Sequence, residues 1–179
     1  MSKKVLIISS SFRKGGNSDT LSDQFALGAK EAGHQVSKIF LNDMHIGYCR
    51  GCGVCNNTHK CVQKDDMAEI LEQMLEADVL VFATPVYFYC MNGQMKTFID
   101  RCVPKYEEIR NKEVYFIVAA ADSDTANMQK TIEAFRGFTQ DCLEGTQEKG
   151  IIYGVGAWQV GDIKSSPAMK QAYEAGKNA

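Results

Sequence analysis

Lys4-Val-Leu-Ile-Ile-Ser-Ser-Ser-Phe-Arg-Lys-Gly-Gly-Asn-Ser18 is the stretch on which the fold turns. Its opening predicts a strand over 4–9, because a continuous β-branched run suits a strand buried on both faces. A polar loop of serines, glycines, an asparagine and two cations follows, and no acid occurs before Asp19. A helix then runs to about residue 32, with Leu21, Phe25, Gly28 or Ala29, and Ala32 on one face. Gly33 supplies a left-handed stop. Such a loop gathers backbone N–H groups and the positive end of a helix dipole at one point, which favours a phosphate. Ser11, Asn17 and Ser18 add hydrogen bonds and Arg13 a charge-assisted one. A plainer reading has Asn17 or Ser18 capping the helix beneath a solvated loop. Capping needs one such residue, not ten polar residues free of acids.

Outward from this stretch, strands and helices alternate. A second strand is predicted over 35–41 and a cysteine-rich loop over 42–64. A helix follows, capped by Asp66 with Glu69 completing a capping box. Met67, Ile70, Leu71, Met74 and Leu75 form its apolar face. Asp65 and Asp66 read as end-caps, not as a catalytic carboxylate pair. The third strand spans 77–83. Thr84-Pro-Val-Tyr-Phe-Tyr-Cys-Met-Asn-Gly93 then makes an apolar, aromatic loop where a strand-to-helix turn is ordinarily short and polar. Such a loop must cover a neighbouring subunit or a flat apolar ligand. The next helix turns Met95, Phe98, Ile99, Cys102 and Val103 inward and stops at Pro104. A fourth strand over 113–120, the loop at 121–124 and a helix with Met128, Ile132, Phe135 and Cys142 inward follow. A fifth strand over 150–155 and a short tail helix opened by Ser166-Pro167 complete the chain.

This alternation predicts a five-stranded parallel sheet with helices on both faces and right-handed crossovers. Ligands in such α/β sheets bind beyond the carboxyl ends of the strands, where strand order reverses. For the order 2-1-3-4-5 the flanking strands are one and three, which carry the two unusual loops. A phosphate on one side and a flat apolar surface on the other describe flavin mononucleotide, FMN.

Cys49-Arg-Gly-Cys52-Gly-Val-Cys55, closed by Cys61, places four of the seven cysteines within thirteen positions. Gly51 and Gly53 let the backbone curl so that the thiols can converge. The spacing suits one self-contained iron–sulfur cluster of the 4Fe-4S kind. Three other readings stay open: zinc, redox disulfides, and a cysteine loop with no metal. His59 inside the loop is read as a surface histidine. Gly51-Cys-Gly-Val-Cys-Asn56 only begins like a dinucleotide fingerprint. Cys90 is read as a buried thiol.

The 179 residues suit one domain spanning 1–179, large enough to bury roughly 70% of its unfolded surface. Apolar content of 45% and charge of 23% are ordinary for a globular protein. A net charge of −2 gives no general attraction to nucleic acid or anionic membrane. The apolar run at 5–8 is too short for a signal peptide, and the stretch 79–91 is too short to span a bilayer. The expected location is the cytoplasm.

Ser9-Ser-Ser-Phe-Arg-Lys-Gly-Gly-Asn-Ser18, Thr84-Pro-Val-Tyr-Phe88, Lys96-Thr-Phe-Ile-Asp-Arg101 and Gly150-Ile-Ile-Tyr-Gly-Val-Gly156 resemble the NADPH-dependent FMN reductase branch of the flavodoxin-like superfamily. The cysteine stretch followed by Asp65-Asp-Met67 resembles its iron–sulfur flavoprotein subgroup. The resemblance covers nearly the whole chain and implies a flavodoxin-like three-layer sandwich. It implies FMN, with the phosphate on Ser11, Arg13, Asn17 and Ser18 and with Ser9 and Gly16 beside them. The ring system would lie against Pro85, Val86, Tyr87 and Phe88 next to Thr84, and Ala121, Asp122 and Ser123 would close the other side. A cluster would take Cys49, Cys52, Cys55 and Cys61. NAD(P)H would bind transiently over the flavin, electrons would pass to an unidentified acceptor, and the chain would form homodimers or homotetramers. Relatives often have Gly-Ser-Pro where this chain has Ser10-Ser11-Phe12. The leading expectation is an FMN-dependent NAD(P)H oxidoreductase. Its rivals are a non-catalytic electron carrier, a metal-free FMN reductase, and a thiol- or zinc-based redox sensor.

Overall fold

The computed structural model describes residues 1–179. Strand β1 (Lys4–Ser9) leads through the serine-rich loop into helix α1 (Asn17–Glu31) and back to β2 (Gln35–Phe40). The cysteine loop holds only one helical turn, α2 (Cys55–Thr58), before α3 (Met67–Glu76). Then come β3 (Val79–Tyr87), β4 (Cys90–Met91), α4 (Gly93–Asp100) and β5 (Glu113–Ala119). Helix α5 (Gln129–Thr139), strand β6 (Gln147–Gly154) and helix α6 (Ala168–Lys177) finish the chain. No helix is long and apolar enough to cross a membrane.

Five strands pair in parallel in the order β2-β1-β3-β5-β6, which is 2-1-3-4-5 counted over the parallel strands alone. The sixth strand, β4, pairs antiparallel with the far end of β3. The stretch 84–93 is therefore not a free loop. Strand β3 continues to Tyr87, turns through Phe88-Tyr89 and returns through Cys90-Met91.

The sheet separates two cores. On one face α3, α4 and α5 pack around Phe82, whose ring meets those of Phe98, Phe116, Phe135 and Phe138. On the other face α1 and α6 pack over Val5, Ile7, Val81 and Ile117. These two helices approach so closely that a Cβ on Gly28 would lie 2.0 Å from the Tyr173 carbonyl oxygen. One on Gly176 would lie 2.0 Å from that of Phe25. Only hydrogen fits at either position.

Several local expectations change. Ala32 and Cys142 are exposed, and Val103 is 40% exposed, because α4 ends at Asp100 and the chain turns away before Pro104. Phe138 takes the inward place expected of Cys142. The capping box at α3 does not form, since Asp66 spends its carboxylate on the His45 N–H at 2.6 Å. Asp65 accepts from the Met67 N–H instead. Cys90 is exposed, as the hairpin turns it outward.

Candidate functional site: a phosphate cradle beside an aromatic hairpin

The carboxyl ends of β1 and β3 carry the two halves of the site, and buried hydrogen bonds lock them together. The Ser10 N–H and hydroxyl both donate to the Ala83 carbonyl, at 2.9 and 3.1 Å. The Asn92 amide donates to the Ser10 carbonyl at 2.5 Å, while its Oδ1 caps α4 by accepting from the Met95 N–H. Thr84 joins this set, accepting from the Asn92 N–H at 3.2 Å and donating to the Pro85 carbonyl. Asn92 is the residue that sequence reasoning missed. Its signal was an Asn-Gly before a helix, which is an N-cap pattern.

The first half is an open helix N-terminus. Gly16 is the N-cap of α1 and has no side chain to cap with, so the plainer reading, with Asn17 or Ser18 capping the helix, does not hold. The first-turn N–H groups keep no intrahelical acceptor. Ser18 is 1% exposed, and its hydroxyl has no hydrogen-bond partner. A buried hydroxyl left unpaired costs free energy, which makes this atom a candidate donor to a ligand. A Cβ on Gly16 would meet the Ser11 hydroxyl at 2.6 Å and the Arg13 carbonyl at 2.9 Å. Only glycine lets the loop pass this close to the start of the helix. Ser11 shapes the turn, donating to the Arg13 carbonyl and accepting from its N–H. The Arg13 side chain is exposed beside it. These features fit a phosphate.

Two placements differ from expectation. The Asn17 side chain is turned away from the cradle and clamps the loop after β6. It donates to the Ala157 and Gln159 carbonyls at 3.1 and 2.9 Å and accepts from the Gly161 N–H at 3.2 Å. The loop is also not remote from acid. Asp19, buried in the first turn of α1, accepts from the Ser9 hydroxyl at 2.7 Å and the Gly15 N–H at 2.9 Å. Lys38 reaches it from β2 at 2.6 Å. Ser9 therefore faces Asp19 beneath the cradle.

The second half is the hairpin. Pro85 and Val86 are half-buried, Tyr87 is partly exposed, and Phe88 is 99% exposed at the tip. Phe88 and Tyr89 both take positive φ, at 49° and 62°, which costs non-glycine residues energy and marks a constrained feature. Ala121, Asp122 and Ser123 lie in the loop that leaves β5, the strand paired beside β3. Ala121 and Ser123 are exposed. Asp122 holds the turn, accepting from the Asp124 N–H, the Asn127 amide and the Gly156 N–H.

The cysteine loop docks next to the hairpin. Arg101, its side chain 1% exposed, forks onto Asp65 at 2.7 and 2.9 Å and donates to the Gly47 carbonyl at 2.6 Å. It also donates to Cys61 Sγ at 3.5 Å. The guanidinium holds the Asp65 carboxyl well down, at about 2. A groove of about 960 Å³ has Cys49, Cys55 and Cys90 on its walls, so the loop and the hairpin share one surface. Gly51 and Gly53 take positive φ, curling the loop as their type allows. Cys49 and Cys52 are exposed, and no three Cys, His, Asp or Glu side chains are gathered at one point. The donor chemistry of the loop fits an iron–sulfur cluster; the convergence of the thiols is not formed.

Fold and site together define a protein that holds a phosphorylated, flat cofactor at the switch point of a parallel sheet. The chain belongs to the NADPH-dependent FMN reductase family, whose model matches residues 3–137. FMN is the cofactor of that family. An iron-sulfur flavoprotein from Methanocaldococcus jannaschii is 35% identical over 137 residues, covering 75% of this chain and 70% of that one. An iron-sulfur flavoprotein from Archaeoglobus fulgidus is 40% identical over 101 residues, covering 56% of this chain and 46% of its own. The match thus spans less than half of the Archaeoglobus protein. A NAD(P)H:quinone oxidoreductase from Methanothermobacter marburgensis superposes with a TM-score of 0.75 at 17% identity, covering 99% of this chain and 97% of that one. At that identity it supports the fold alone.

Proposed function

We propose that the chain, as a single FMN-binding domain, takes hydride from NAD(P)H and passes electrons to a further acceptor, with the cysteine loop as an iron–sulfur relay. The observation that carries this reading is the unpartnered Ser18 hydroxyl at the uncapped start of α1. It is the buried donor a phosphate monoester would satisfy. When bound, FMN supplies a ring that accepts hydride and releases electrons singly or in pairs. The chain's own groups bind, orient and cover it.

In this reading the N–H groups of the first turn of α1 and the Ser18 hydroxyl hold the phosphate, Ser11 keeps the turn around it in shape, and Arg13 closes over it. Pro85 to Phe88 would present a flat apolar wall to a bound ring, with backbone N–H groups of that strand end as donors to it. Ala121 to Ser123 border the opposite edge, and Ser9 and Gly16 shape the floor. Cys49, Cys52, Cys55 and Cys61 would hold the cluster, and the relatives' names support that assignment. We place the protein in the cytoplasm as a homodimer or homotetramer, since the exposed Phe88 and the cysteine loop lie where a second copy could cover them.

The test is an absorption spectrum of protein purified without oxygen, with iron and acid-labile sulfide assayed on the same sample. Flavin bands with iron and sulfide support the whole reading. Flavin bands with neither would remove the relay and leave a flavin reductase with a thiol loop. A protein that takes up no FMN would overturn both. Cys52→Ala should abolish the iron and leave the flavin in place.

A further inference from the structure

The phosphate cradle carries an acid where an anion is to bind. Asp19 lies in the first turn of α1, 4% exposed, under the same helix N-terminus that offers Ser18 to the ligand. A carboxylate there is favoured by the helix dipole, but it draws on the same positive potential a phosphate would use. It also takes one of the loop's own donors, the Gly15 N–H, at 2.9 Å. Lys38 resolves the conflict. Its ammonium reaches across from β2 to Asp19 Oδ1 at 2.6 Å and to the exposed Asp23 at 2.6 Å. The Lys38 side chain is 21% exposed, so screening by water and salt is only partial.

We infer that Asp19 and Lys38 act as a charge-compensated support beneath the phosphate loop, with Lys38 a positioning residue that sets the preference for phosphorylated over unphosphorylated flavin. Asp19 shapes the loop through Gly15 and Ser9. Lys38, shared with the exposed and water-screened Asp23, offsets the buried charge of Asp19, so the shaped loop still accepts a dianion. The inference rests on the phosphate-cradle reading above and adds a determinant outside it, since Lys38 is on β2 and belongs to no loop of the site.

The two partners predict different variants. Lys38→Met leaves Asp19 uncompensated below the phosphate. A unit charge exposed in this way, in partly buried surroundings, changes anion affinity on the order of tenfold. Asp19→Asn combined with Lys38→Met removes both charges. The amide can then accept from the Gly15 N–H through its oxygen and donate through its nitrogen to the Ser9 hydroxyl oxygen, so both loop contacts of residue 19 keep a partner with the Ser9 bond reversed. Lys38→Arg keeps the charge.

The experiment is a fluorescence titration of flavin-free protein with FMN and, separately, with riboflavin, which lacks the phosphate. The expected result is that Lys38→Met weakens FMN about tenfold and leaves riboflavin unchanged. Lys38→Arg should stay near wild type, and the double variant should regain most of the FMN affinity. Loss of FMN and riboflavin affinity in parallel would mean a general structural role and overturn the inference. So would a Lys38→Met protein with the wild-type preference for FMN. A wild-type protein that binds the two flavins equally would instead overturn the phosphate cradle itself.

Discussion

Ser18 carries a buried polar atom that the protein leaves unpaired, and Gly16 beside it is fixed as glycine by the closeness of Ser11 and the Arg13 carbonyl. The Ser18 hydroxyl is buried and unpaired, so removing it takes away no protein contact. Ser18→Ala should therefore leave the stability nearly unchanged, within about 0.5 kcal/mol. It should weaken FMN about tenfold, the usual worth of a hydrogen bond to a charged group. Flavin titration and a melt on the same preparation check this; a large loss of stability would mean the hydroxyl has a structural partner. Gly16→Ala should weaken FMN more strongly, because the added methyl pushes into Ser11 and the Arg13 carbonyl. At this scale the sequence was half legible. Residue type and position marked the loop after β1, since phosphate chemistry needs hydroxyls and glycines before a helix. Which way Asn17 points was not readable. Its partners, the carbonyls of Ala157 and Gln159, lie 140 and 142 positions away in the chain. Asp19 was read only as the first acid after the loop, and its contact with Lys38 exists only once β2 lies beside β1.

The hairpin β3–β4 shows why an element can be misread when its residues are right. A two-residue turn with both central residues at positive φ ordinarily carries Asn-Gly or Gly-Gly. Here it carries Phe88-Tyr89, which carries no turn signal, so the strand end looked like a loop. The tip is instead held from outside. The Thr131 hydroxyl donates to the Tyr89 carbonyl at 3.1 Å, and the Lys130 ammonium sits 5.5 Å from the Tyr89 ring centre. The aromatic pair is thus kept at an energetic disadvantage of about 1–2 kcal/mol per residue. Replacing it by Phe88→Asn and Tyr89→Gly should stabilise the fold by about 1–2 kcal/mol, after the lost contacts are set against the relieved strain. The same change should lower NADPH oxidation several-fold, because the apolar cover at the strand end is gone. Chemical denaturation and a turnover assay read the two effects apart. Unchanged turnover would show that the strained aromatics serve something other than the flavin site. The main strands and helices were legible because their apolar periodicity is local, and β1 runs over the very residues expected of it.

Across the whole molecule, the cysteine loop is joined to the α/β body by Met44 and Ile46 at its start and by one buried ion pair at its end. The residues from Tyr48 to Lys60 are exposed, apart from the half-buried Cys55. Arg101 grips Asp65, the Gly47 carbonyl and Cys61 from inside α4's exit turn. The Asp65 carboxyl titrates at about 2, below its ordinary value, chiefly because it accepts hydrogen bonds from Arg101. A depressed carboxylate contributes stability that is complete above its unfolded pKa, near 4, and is lost as pH falls toward the folded value. The loss therefore falls between about pH 4 and pH 2, and amounts to about 2 kcal/mol for a shift of this size. Neutral-pH function is untouched by this titration. Asp65→Asn should remove that acid-dependent component and, at pH 7, leave a buried guanidinium without its counter-charge, at a cost of about 3 kcal/mol. Because the pair closes the loop rather than the sheet, the loss should appear first as freedom of the loop. Cys61 should react faster with a thiol reagent at pH 7 in Asp65→Asn than in wild type, while far-ultraviolet dichroism stays native-like. Equal labelling rates would show that the loop is held by its own turns, and that Arg101 serves the exit of α4 alone.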